Sequence, residues 1–126
     1  ISQEEIQFSG HAIQCRLNAE DPIHFAPSPG KLWDCHFPGG RGVRVDTHAH
    51  IGYEMPGCFD SLLAKLIVWG QNRDEAIAKM KAALTETTLI GVDTVIPLHQ
   101  AILDEPDFIA RDVTIQYLED HPNLLG

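Results

Sequence analysis

The sequence has no run of basic residues. Nine Lys and Arg are scattered among 18 Asp and Glu, for a formal net charge of -9. That argues against nucleic acid or an anionic membrane surface as a partner, because such binding is carried by clustered Lys and Arg. No apolar stretch approaches the length of a bilayer span, and no signal-peptide pattern is present. Cysteine is scarce: Cys15, Cys35 and Cys58 are odd in number and form no CxxC pair. A disulfide framework or a zinc ribbon is not expected. Small buried hydrophobes in a reducing cytoplasm are. The phosphate-binding patterns GxxxxGK[ST] and GxGxxG are missing, as are HExxH and a nucleophile elbow. Pro38–Gly42 is glycine-rich, but a strand pattern follows it, which suits a hairpin turn better than a phosphate cradle.

What remains is an ordinary globular composition, 44% hydrophobic and 21% charged over 126 residues. One domain, residues 1–126, is expected. The chain begins at Ile1 rather than methionine and reaches a strand pattern almost at once, so a fragment or excised domain of a larger protein is expected.

The most informative stretch is Gly10 to Pro22, GHAIQCRLNAEDP. Alternation places Ile13, Cys15 and Leu17 on one face of a strand and Ala12, Gln14 and Arg16 on the other. Arg16 is then a guanidinium projecting from the polar face of a stiff element, where its position is better fixed than on a loop. Two readings stay open from the residues alone. Arg16 is a surface arginine paired to a nearby acid, or it grips a carbonyl-type oxygen that becomes more negative during a reaction.

The rest of the chain is punctuated by turns. Ala26-Pro-Ser-Pro-Gly30 is a firm turn. Lys31–Phe37 reads as one strand with Trp33, Cys35 and Phe37 toward the core. Val43, Val45, Thr47, Ala49 and Ile51 alternate with Arg44, Asp46, His48 and His50, so Val43–Ile51 reads as a strand with one wet side. Leu63–Trp69 is a continuous apolar run that suits a central strand. The period then changes. Asn72 is an N-cap candidate with Glu75 three residues on, and Ala76, Ile77, Met80, Ala83, Leu84 and Thr87 mark one face of a helix ending near Thr87. Leu89–Val92 is a short extended return. Thr94 is the cap expected for a second helix, with Pro97 in its first turn and an end near Asp104. Ile6–Phe8 reads as a strand lead-in, and Pro106–Leu118 as short helical pieces. Strands first and helices last is the α+β class: a small antiparallel sheet or barrel-like domain, of the barrel-sandwich-hybrid kind, followed by two or more helices.

Two further groups invite chemistry. His36, His48 and His50 could face a metal across neighbouring strands, but no carboxylate or cysteine spacing accompanies them, and a solvated strand face is the expected role. Asp60 sits where a turn meets a buried strand, suited to capping the backbone or to orienting an arginine from an adjacent strand.

Taken together, HAIQCRLNAEDP, PSPGKL, PGGRGVRVDTH, GYEMP, FDSLLAKLIVWGQNRDEAIAKM and GVDT resemble, in order and spacing from about Gly10 to Leu118, the C-terminal domain of biotin carboxylases. The resemblance implies part of an ATP-dependent ligase that carboxylates biotin attached to a carrier protein, using bicarbonate, with the acetyl-, propionyl- and pyruvate-carboxylating enzymes equally covered and fatty acid biosynthesis among the contexts. It implies that ATP and magnesium are bound by an upstream ATP-grasp domain, and that the 126-residue chain alone is inactive. Partners implied are that domain, the biotin carboxyl carrier protein, a carboxyltransferase and a second copy in a homodimer. Carried over by position, Arg16 matches the family arginine that contacts the biotin ureido oxygen and bicarbonate. Asp60 matches the aspartate near it in the biotin pocket. Arg44 and Arg41 fall at dimer-interface positions. Glu20 and Asp21 match an acidic pair expected to be structural. The chain departs from the family at Gly57, where a proline is common, at Cys58 and Phe59, where tyrosines are common, at His50, where a tyrosine is common, and at Val95, where asparagine is frequent. The alternative is a dimerisation or interaction module without chemistry of its own.

Overall fold

The computed structural model describes residues 10–56 and 61–109. Its elements run β1 (His11–Asn18), β2 (Gly30–Lys31), β3 (Asp34–His36), β4 (Val43–Thr47), β5 (Glu54–Met55), β6 (Leu62–Gly70), α1 (Arg73–Glu86), β7 (Thr88–Ile90), α2 (Ile96–Asp104) and α3 (Pro106–Ile109). Among the described residues every strand pairing is antiparallel: a sheet in the order β1-β6-β4, and two small ladders, β2 with β5 and β3 with β7. This is the α+β arrangement that the strand-then-helix pattern predicts.

The period-2 pattern of β1 decides which way the main sheet faces. Ile13, Val68 and Val43 form one cross-strand row, Cys15, Leu66 and Val45 the next, and Leu17, Ala64 and Thr47 the third. These rows face α1, whose Ile77, Met80, Ala83 and Leu84 are buried against them together with Leu103 of α2. Fully burying such a side chain contributes about 1.5–3 kcal/mol. The opposite rows, Gln14 with Ile67 and Arg44, and Arg16 with Lys65 and Asp46, form the outer face.

α1 starts where its sequence says it should. The Asn72 side chain accepts from the Glu75 N–H at 2.9 Å, satisfying one of the helix's unpaired donors. Glu75 Oε2 reaches back to the Gln71 N–H at 2.8 Å, one residue earlier than in the usual capping box. Thr87 ends the helix and is buried, its hydroxyl donating to the Ala83 carbonyl at 2.8 Å. Arg73, in the first turn of α1, lies over the Phe108 ring with its Cζ 4.6 Å from the centroid, and so ties α3 to the body.

Three local expectations need correction. Lys31–Phe37 is not one strand. It breaks at Leu32–Trp33, and Trp33 is 70% exposed while Leu32 is fully buried. The reason is that Leu32 bonds through its backbone to Gly52 and Tyr53, at 2.8 and 2.9 Å, and drops into a second small core with Ala19, Met55 and Leu63. Trp33 is left to pack under the Lys31 ammonium, 5.2 Å from its ring. The strand from Val43 stops at Thr47, and Ile51 is exposed on the turn beyond. The second helix has Val95 at its N-cap position with no side-chain cap. Thr94 Oγ1 only approaches the Ile96 N–H, at 3.4 Å. Ile6–Phe8 and the segment from residue 110 lie outside the described residues.

Candidate functional site

Arg16 stands in the middle of the outer face of β1, exposed, opposite Lys65 of β6. Side chains paired directly across such a ladder have Cβ atoms roughly 5 Å apart, so two cations share one spot on an otherwise acidic protein. Among the described residues the Arg16 guanidinium has no ion-pair partner. The acid nearest in the row is Asp46, across Lys65, and it is engaged with Arg44: Arg44 Nε to Asp46 Oδ1 is 3.0 Å. With the two side chains 73% and 45% exposed, that pair adds little stability.

The backbone under Arg16 is held on both sides. β6 occupies one edge of β1. On the other edge, His99 Nε2 of α2 lies 2.7 Å from the Arg16 carbonyl oxygen, and the Val95 N–H donates to the Asn18 carbonyl at 3.2 Å. A carbonyl only accepts, so the His99 proton sits on Nε2. Burial holds the His99 pKa below its ordinary 6.5, with the bond to Arg16 acting more weakly in the opposite sense.

The acidic turn after β1 is structural. Glu20 Oε1 accepts from the Ser61 hydroxyl at 2.6 Å and from the Asn18 amide at 3.2 Å, and the Ala19 N–H donates to the Ser61 carbonyl at 2.8 Å. These bonds pin the start of β6 to the end of β1. Asp21 Oδ1 accepts from the Ile23 and His24 N–H groups at 2.7 and 3.1 Å. Those donors, Ile23 first, hold its carboxyl below the usual carboxylate value. Asp60 lies outside the described residues, so its expected pairing with Arg16 has no geometry here. Ser61, next to it, is placed as above.

Arg44 lies on the same face as Arg16, opposite Ile67, one row along and two strands away. Arg41 lies off the end of the sheet, beside a cleft of about 290 Å³ lined also by Gly42, Trp69, Gln71, Glu75 and Lys79. The sheet therefore places Arg16 and Arg44 on one face, with β6 between them, and leaves Arg41 off its end. The histidines do not converge. His48 and His50 both stand edge-on to Tyr53, with ring centroids 5.1 and 5.8 Å away, and His48 Nε2 is 3.1 Å from the Tyr53 hydroxyl oxygen. Among the described residues no group of three or more His, Cys, Asp or Glu could hold a metal ion. Cys15 is buried, and burial pushes its thiol up to about 12, the behaviour of a packing residue.

Two residues of the site escaped the sequence reading. Lys65 was hidden in an apolar run, although the parity of Ala64, Leu66 and Val68 already turns it outward. His99 lies on the stripe Val95, Leu98, His99, Ile102, Leu103, the spacing of a helix face turned to the core; a histidine on that stripe was the available signal.

No helix among the described residues is long and apolar enough to cross a membrane. Residues 14–120 match the family described as the biotin carboxylase C-terminal domain. The chain is 50% identical over 119 residues to the biotin carboxylase of Haemophilus influenzae, covering 94% of this chain and 27% of that one. It is 48% identical over 119 residues to the biotin carboxylase of Pseudomonas aeruginosa, covering 94% and 26%. Its fold superposes with a TM-score of 0.94 and 44% identity on the biotin carboxylase domain dimer of Hydrogenobacter thermophilus 2-oxoglutarate carboxylase, crystallised with MgADP, ADP and bicarbonate, covering 100% of this chain and 28% of that one. The chain thus spans about a quarter of the length of the relatives it matches.

Proposed function

Because the chain belongs to the biotin carboxylase C-terminal domain family, we propose that residues 1–126 act as a single domain forming one wall of the site at which carrier-bound biotin is carboxylated from bicarbonate and ATP. In this reading Arg16 donates to the biotin ureido oxygen and to bicarbonate, and Asp60 orients it. ATP and magnesium are held by an ATP-grasp domain upstream. The carrier protein presents biotin, a separate carboxyltransferase takes the carboxyl group onward, and the assembly works in the cytoplasm as a homodimer with Arg41 and Arg44 at its interface.

The observation that supports this reading is the exposed guanidinium of Arg16, without an ion-pair partner among the described residues, on a strand whose backbone is fixed at both edges. Bound biotin supplies the ureido nitrogen that receives the carboxyl group. Removing a proton from such a nitrogen moves negative charge onto the attached oxygen. A guanidinium already aimed at that oxygen binds the charged state more tightly than the neutral one, and so lowers the barrier. Arginine suits the task because its donors lie in one plane and its proton is not lost. Lys65 beside it adds positive potential without competing for the same geometry.

The test is Arg16→Ala in the full-length protein that contains this chain. Biotin-dependent ATP turnover should fall roughly 10²–10³-fold, with an unchanged circular dichroism spectrum, since the side chain is exposed. Wild-type turnover would overturn the role. The rival reading, a dimerisation module alone, draws on the exposed Arg44. Sedimentation equilibrium of Arg44→Glu separates the two: both readings expect dissociation, but only the first expects Arg16→Ala to stay dimeric and lose activity.

A further inference from the structure

The free edge of β1 is closed by α2 through a match of two repeats. Carbonyls two residues apart on a strand leave from the same edge, about 7 Å apart. Four residues of helix rise about 6 Å. The N–H of Val95, the N-cap of α2, and the side chain of His99, four residues on, reach the carbonyls of Asn18 and Arg16, two residues apart on β1, at 3.2 and 2.7 Å. The Val95 N–H belongs to the helix N-terminus, where no intrahelical partner exists, so the strand edge also completes the helix.

We propose that His99 is the positioning residue for Arg16: it holds the peptide that carries the guanidinium by its carbonyl oxygen, and leaves the guanidinium itself free to meet substrate. The inference rests on the role of Arg16 given above. The logic is that of a lever. The guanidinium lies at the end of a long side chain rooted in that peptide, and a small rotation of the peptide moves the tip by far more than it moves the root. Misplacing a reacting or stabilising group by 1 Å is enough to cost roughly 10²-fold in rate. β6 fixes the other edge of β1, but its pairing shifts register between Leu17 and Asn18, one residue beyond Arg16. The hydrogen bonds from α2 bracket that irregularity, at residues 16 and 18, where the ladder alone constrains the strand least. Among the described residues the His99 ring makes no other hydrogen bond, so it is committed to this contact.

The test uses the full-length protein with four variants: Arg16→Ala, His99→Leu, His99→Gln and the double variant Arg16→Ala/His99→Leu. Kinetics of biotin-dependent ATP turnover are measured for each, with thermal melting in parallel. His99→Leu is expected to lower kcat about 10–100-fold while leaving the KM for ATP unchanged. His99→Gln, whose amide N–H reaches the same carbonyl, is expected to recover most of that loss. The double variant is expected to be no slower than Arg16→Ala alone, because a residue that acts through Arg16 has nothing to position once the guanidinium is gone. Should His99→Leu not fold, His99→Asn, with a shorter amide that stops short of the carbonyl, takes its place under the same expectation. The inference is overturned if kcat of His99→Leu equals wild type, if His99→Gln is as slow as His99→Leu, or if the two losses multiply in the double variant. Those results with a slow Arg16→Ala remove His99 alone from the scheme. A wild-type rate for Arg16→Ala removes the reading of the site, and the inference with it.

Discussion

Gly91 lies against Lys31 with no room for a side chain: a Cβ on Gly91 would fall onto the Lys31 carbonyl oxygen, and its φ of +124° is one that side chains rarely adopt. This close approach lets the Trp33 N–H donate to the Ile90 carbonyl at 2.8 Å beside the paired strands β3 and β7. Gly91→Ala should therefore lose roughly 1–3 kcal/mol, the usual cost of a strained backbone position. Urea unfolding gives the number, and an unchanged midpoint would remove the steric argument.

Acid should weaken the fold through His99. Its folded pKa lies below the unfolded value of about 6.5. The unfolded chain takes up a proton that the folded chain refuses, so stability is complete above about pH 6.5 and declines as pH drops beneath it. Asp21 acts in the same direction, but only near and below its ordinary 3.8. The His99→Gln variant should show a flatter melting temperature between neutral pH and the carboxylate range. An identical pH profile in the variant would mean that His99 titrates alike in both states.

Leu32 and Trp33 make a paired prediction. Leu32→Ala empties part of the second core and should cost about 2–5 kcal/mol. Trp33→Ala removes a side chain that is 70% exposed and should shift stability by no more than about 0.5 kcal/mol. Equal losses from the two substitutions would restore Trp33 to the interior and overturn the corrected register.

That register was the part of the fold least legible in the sequence. Alternation alone puts Trp33, Cys35 and Phe37 on one side, and bulk favours that side for the core. What decides otherwise is the backbone of Gly52 and Tyr53, some twenty residues away, which claims Leu32 first. β1 and α1 were legible because each carries its own period over eight or more residues, with a cap at Asn72 where the period changes, and β6 because its apolar run suits a central strand. Arg16 was legible as an outward arginine, and the resemblance supplied the role proposed for it. Its backbone partner was not, since His99 lies 83 residues away and no local pattern links the two. Lys65 was legible in principle, but a run of apolar neighbours masked its parity. Glu20 was taken for a structural acid, and its bonds to Ser61 and Asn18 give that reading its mechanism.

The main sheet is asymmetric at its margins. Among the described residues, β1 is sheltered by a helix, whereas β4, at the opposite margin of the β1-β6-β4 order, has no strand on its outer side and carries Arg44 and Asp46 as charged sentries. A sheet open along both margins can add copies without limit and grow into a fibre. One open along a single margin has nothing left to offer after meeting its like, so any growth by strand addition would stop at a pair.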